Sequence, residues 1–86
     1  VKGWRGVFGD LKHSRVSRMV LNGCMFGDLG MKALCEGLRE NVSIVELEID
    51  GNGITLNGLL DLRAALRVCR TLQYMPLPHQ DFARIL

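Results

Sequence analysis

The chain has 86 residues, of which 48% are hydrophobic and 23% charged, with two prolines and a formal net charge of +2. That suits one small folded domain, which buries about 60% of its unfolded surface, and it excludes a disordered chain. No apolar run approaches the roughly 18 residues of a membrane span, and the charge is too small to argue for nucleic acid.

Residues 3–12 read GWRGVFGDLK, and the same phasing returns in GMKALCEGLR at 30–39 and GLLDLRAALR at 58–67. Each segment opens on Gly, followed by Trp4, Met31 or Leu59. Further apolar positions come at Val7, Leu34, Leu62 and at Leu11, Leu38, Leu66. Spacings of three and four predict helices. Gly6 and Gly9 each cost a helix about 1 kcal/mol relative to Ala, so the first is expected to be short or frayed. The alternative is a cap in which Trp4, Val7, Phe8 and Leu11 cover the first strand; both readings bury the same side chains.

A strand is expected over 17–21, then a link over 22–29 whose Gly23 and Gly27 suit tight turns. A second helix follows over 29–40, with Asn41 as its terminator. In IVELEIDGNGI, residues 44–54, strict alternation points Leu47 and Ile49 inward and Glu46, Glu48 and Asp50 outward. Asn52 sits in the turn beyond, where its side chain can serve backbone groups that no ladder satisfies. A third helix is expected over 57–69, with Arg63, Arg67 and Arg70 on its outer side. A third strand over 74–77 carries Pro76, with Pro78 just beyond. Two prolines two apart remove donors from one edge, which predicts the outer edge of a parallel sheet and the end of the strand series. Residues 81–86 place Phe82, Ile85 and Leu86 on one face of a closing helix.

A spacing of 28 residues aligns Val16, Ile44 and Leu72; Met19, Leu47 and Met75; Leu21, Ile49 and Leu77; and Phe26, Ile54 and Phe82. In a chain about half apolar, such a full set arises by chance about once in several thousand trials. The turn column reads Cys24, Asn52, Gln80. The expected core is Val16, Met19, Leu21, Ile44, Leu47, Ile49, Leu72, Met75 and Leu77 against Leu34, Leu38, Leu62 and Leu66.

VSRMVLNGCMF followed by GMKALCEGL, and IVELEIDGNGI followed by GLLDLRAAL, resemble the ribonuclease-inhibitor-like class of leucine-rich repeats, over about residues 3–82. The resemblance implies an α/β leucine-rich-repeat solenoid, with a short parallel sheet on the concave side and helices on the convex side. It divides the chain into 1–14, a partial repeat helix or cap; 15–41 and 42–70, two repeats; and 71–86, a partial terminal repeat. Beginning at Val1, the chain reads as a piece of a longer protein. Relatives of this class are mostly intracellular binding scaffolds; they include ribonuclease inhibitor, the sensing domains of NOD-like receptors, actin regulators and the Ran GTPase-activating protein. The implied function is protein–protein recognition through the concave strand face. A structural C-terminal cap of a longer array, and an accessory to a GTPase, are the alternatives.

The positions left free on that face are Arg18, Val20 and Asn22; Glu46, Glu48 and Asp50; and Tyr74, Pro76 and His79. Parallel strands lie about 4.8 Å apart, so these side chains share one surface. Three acids beside an arginine and an aromatic point to a protein partner with a basic or mixed-charge segment, with Tyr74 as anchor. A merely solvated strand face is the plainer alternative. Lys12, Arg39 and Arg67 share a helix position, with Arg63 and Arg70 nearby, a basic stripe that a solvated helix face explains better than nucleic acid does.

Catalysis has little support. Neither His13 nor His79 has a Cys or Asp at metal-ligand spacing, no CxxC or HExxH is present, and Ser14 beside His13 is an adjacency. Nothing local lowers the pKa of Cys35 or Cys69. No enzyme activity, cofactor, metal or membrane partner is expected. The cysteines number three, an odd count. Cys24 is expected to have a structural part in the turn column. Cys35 and Cys69 are out of step by roughly 9 Å along neighbouring helices, beyond disulfide reach. Three reduced thiols favour an intracellular setting, cytoplasmic or nuclear. Self-association through an open N-terminal edge near Trp4 is a further alternative.

Overall fold

A computed structural model describes residues 8–9 and 11–85; the expectations for Trp4, Val7 and Leu86 lie outside the described residues. The Glu46–Leu47–Glu48 alternation forms a strand, β2 (Glu46–Glu48), parallel to β1 (Arg18–Val20), with Arg18 opposite Glu46 and Val20 opposite Glu48. Parallel neighbours need a crossover, and α1 (Gly27–Glu40) supplies it. α2 (Leu56–Leu66) follows β2, and α3 (His79–Ile85) closes the chain; a 3-10 turn at Leu11–His13 precedes β1.

The helix ends have local causes. α1 carries Asp28 in its first turn and Arg39 in its last, both favourable to the dipole. It stops at Asn41, whose backbone is extended instead of left-handed. The Asn41 backbone N–H caps the carbonyls of Gly37 and Leu38, while the carboxamide fixes the chain beyond: Oδ1 accepts the N–H groups of Ser43 and Ile44, each at 2.8 Å, and Nδ2 donates to the Leu11 carbonyl at 2.6 Å. α2 ends earlier than the expected 69, because the N–H groups of Val68 and Cys69 both turn back onto the Ala65 carbonyl. α3 begins directly after Pro78, whose carbonyl accepts the Phe82 N–H at 2.9 Å.

The third strand is reduced to a bridge. β2 turns its Glu46 and Glu48 backbone towards the β1 side, while the Leu47 N–H and the carbonyl of the preceding Val45 bond residues 73–74 on the opposite edge. Pairing there stops at Tyr74, because Pro76 and Pro78 bring no N–H. This overturns the expected leucine-rich-repeat solenoid. Among the described residues there are three helices and a two-strand parallel sheet, a small α/β globule, and 86 residues are too few to stack a solenoid. The radius of gyration, 11.8 Å, matches the about 12 Å of a compact chain this long.

The core is correspondingly central. Ile44, Leu47, Ile49 and Ile54 of the middle segment pack with Met31, Leu34 and Leu38 of α1 and Leu62 and Ala65 of α2. Met19, Leu21, Leu66, Leu72 and Met75 are only partly buried against them. Two expected core residues are not in the core: Val16 is 47% and Leu77 55% exposed. Among the described residues, each belongs to an outer segment that pairs with the middle one on one side only. Phe8 and Leu11 are buried as expected, and they lie on α1 at Gly37, where a Cβ would stand 2.8 Å from that of Leu11.

Candidate protein-binding face

The register of β1 and β2 sets Arg18, Glu46 and Tyr74 in one row across the outward face, with Val20 and Glu48 in the next. Of the nine residues expected there, Arg18, Val20, Asn22, Glu46, Glu48, Asp50, Tyr74 and Pro76 are exposed or partly exposed along these rows and the cleft beside them. The charges, however, are not three bare acids. Arg18 Nε donates to Glu46 Oε2 at 3.0 Å and its Nη2 to Glu48 Oε2 at 3.3 Å. Asn22 Nδ2 donates to Glu48 Oε1 at 3.0 Å, and Asn22 Oδ1 accepts the Asp50 N–H. Asp50 Oδ1 accepts the N–H groups of Gly51 and Gln80, so this acid ties down a turn. Three carboxylates against one guanidinium still leave two formal negative charges. Val20 (48% exposed) and Tyr74 (56%) offer apolar surface among them. Asn22, Glu48, Asp50, Pro76 and Leu77 rim a cleft of about 130 Å³. His79, expected at this face, instead opens α3.

The end of the face is held by two residues. Asn52 is fully buried. Its Oδ1 accepts the Cys24 N–H at 2.8 Å, and its Nδ2 donates to the carbonyls of Leu21 and Ile49. That is the turn role expected of it. The other two turn-column residues do less: Cys24 is exposed, its N–H donates to Asn52 and its thiol donates to the Asn22 carbonyl at 3.8 Å, and Gln80 is exposed. The residue that matters is Asp81, buried and unforeseen. Its carboxylate accepts the N–H groups of Asn52, Gly53 and Ile54 and pairs with Arg84 at 2.8 Å. An acid one place from the expected column was the only signal for it. Ser43 and Thr71, 28 residues apart, also escaped notice; their hydroxyls donate to the Val16 and Ile44 carbonyls, tying each segment to the preceding one.

Other candidates stay apart. Arg39, Arg63, Arg67 and Arg70 are exposed and, among the described residues, form no ion pair; the Lys12 side chain is not described. His13 and His79 lie in different elements. Burial pushes the Cys35 thiol up to about 12, with Asp61 adding to the effect, the reverse of what a nucleophile needs. Among the described residues no three His, Cys, Asp or Glu side chains gather as metal ligands, and no helix is long and apolar enough to cross a membrane. No family model matches the chain.

Proposed function

We propose that the chain is a protein-recognition module whose outward strand face takes a basic or mixed-charge segment of a partner protein. The observation that supports this reading is the ordered mixed surface: Arg18 held between Glu46 and Glu48, with exposed Val20 and Tyr74 on either side. Charged groups already fixed in place lose little freedom on binding, and a surplus of carboxylates favours cations. Tyr74 supplies an amphipathic anchor at low entropic cost. Three free thiols, two of them buried, support the intracellular setting.

The test is affinity capture with three folded baits: the unmodified chain, Glu46→Lys with Tyr74→Ala, and Arg63→Glu with Arg67→Glu. Asp50 is left alone, since it holds the Gln80 turn. Proteins lost with the strand-face bait alone, and then bound by the purified chain in calorimetry, are the expected result. Identical capture by all three baits overturns the reading.

A further inference from the structure

α1 and α2 are related by the 28-residue spacing, and the relation exposes one flank. On α1, Asp28, Met31, Cys35 and Leu38 form a stripe at helical spacings of three and four, and Asp28 and Cys35 in it lie towards α2. Asp28 accepts the Thr55 N–H at 2.8 Å; Met31, Cys35 and Leu38 are buried, and the charge of Asp61 on α2 reaches Cys35. The equivalent stripe on α2 is Leu56, Leu59, Arg63 and Leu66. There Leu56 is 57% exposed, Arg63 is exposed, and Leu59 and Leu66 are only partly buried. At the N-terminal end of the stripe a mostly apolar cleft of about 340 Å³ opens between Leu56 of α2 and Ile85 of α3.

We infer that this flank of α2 is a second docking surface, and that its occupant is an amphipathic partner helix with small residues on its contact face and an acid opposite Arg63. α2 itself shows what such a stripe accepts, since its Gly58 lies against Asp28 and the charge of its Asp61 reaches Cys35, while Leu62 and Ala65 are buried. A Leu–Leu–Arg–Leu stripe needs the same small surface, and its central guanidinium needs a carboxylate once water is excluded. A second copy docking the same flank about a twofold axis fits poorly, because it would bring Arg63 against Arg63. This surface is separate from the strand face and stands without it.

The probe is a synthetic peptide of residues 55–70, stapled between the exposed positions Leu60 and Ala64, added to the full chain while its methyl resonances are followed. Saturable shifts at Leu56, Leu59 and Leu66 are expected. Arg63→Glu in the chain is expected to weaken binding about tenfold, and Asp61→Arg in the peptide to restore most of it. The rescue also shows that the variant is folded; Arg63→Gln, expected to weaken binding about fivefold, is the second variant. No saturation up to about 1 mM overturns the inference. So do shifts centred on Met31 and Leu38, where the peptide would be replacing α2, or on Val20. Self-association of the chain alone that buries Leu59 and Leu66 overturns it in favour of a second copy.

Discussion

The Asp81 carboxylate of α3 accepts the buried backbone N–H of Asn52 at 3.1 Å, so the last helix closes the turn that ends β2. The same carboxylate takes the N–H groups of Gly53 and Ile54. Asp81→Ala strands these donors, and a loss of about 3 kcal/mol in chemical denaturation is expected. Gln80→Ala, one residue away and exposed, should cost about 0.5 kcal/mol or less. Equal costs would place the lock elsewhere.

Asn52 uses both ends of its carboxamide. Asn52→Asp keeps the acceptor for Cys24 but sets a second oxygen against the Leu21 and Ile49 carbonyls. A loss of about 3 kcal/mol or more is expected near neutral pH, read as a lower denaturation midpoint at unchanged slope.

Gly58 lies under Asp28. A Cβ at this position would run into Asp28 Oδ1 and the Ile54 side chain. Helix propensity alone favours Ala here by about 1 kcal/mol, yet Gly58→Ala is expected to destabilise. Asp28 also anchors the residue before α2, accepting the Thr55 N–H and hydroxyl. Asp28→Ala with Gly58→Ala should therefore cost less than the sum of the single changes, which a double-mutant cycle measures.

Among the described residues Met25 is the non-glycine residue with a left-handed backbone, φ 56°, and it is 84% exposed. Met25→Gly removes the Cβ strain without removing packing. A gain of up to about 1 kcal/mol is expected after the greater freedom of Gly in the unfolded chain is subtracted. Thermal unfolding checks it; a lower midpoint would show that Met25 makes contacts that matter.

Cys35 links stability to alkaline pH. Its thiol rises from 9.0 to about 12 on folding, chiefly through burial. Between those values the folded chain holds a proton that the unfolded chain has lost. This contribution is whole below pH 9 and falls as pH rises towards 12, by at most about 1.4 kcal/mol per unit. Cys35→Val removes it, so the unmodified chain should lose stability relative to the variant across that window. A parallel pH dependence would show that the thiol is not responsible.

The strands, the helices and the role of Asn52 were legible because their signals are local. Alternation around Leu47, spacings of three and four around Leu34, and a lone Asn after a strand each act within a few residues. The Pro76 argument was also local, and it correctly stopped the pairing; it did so more completely than expected, leaving a bridge in place of a strand. The predicted solenoid failed because a 28-residue spacing records only that segments are alike, and not how many stack.

By itself, then, the sequence determined which side of each segment is apolar and where the chain turns, since backbone geometry and side-chain chemistry decide both at short range. Only the tertiary structure decided which like positions are buried. Ile49 is covered and Leu77 is open; Cys35 is covered and Arg63 is open; Asp81, not Gln80, closes the turn. Burial needs a neighbour on both sides, and that depends on where in the fold a segment lies.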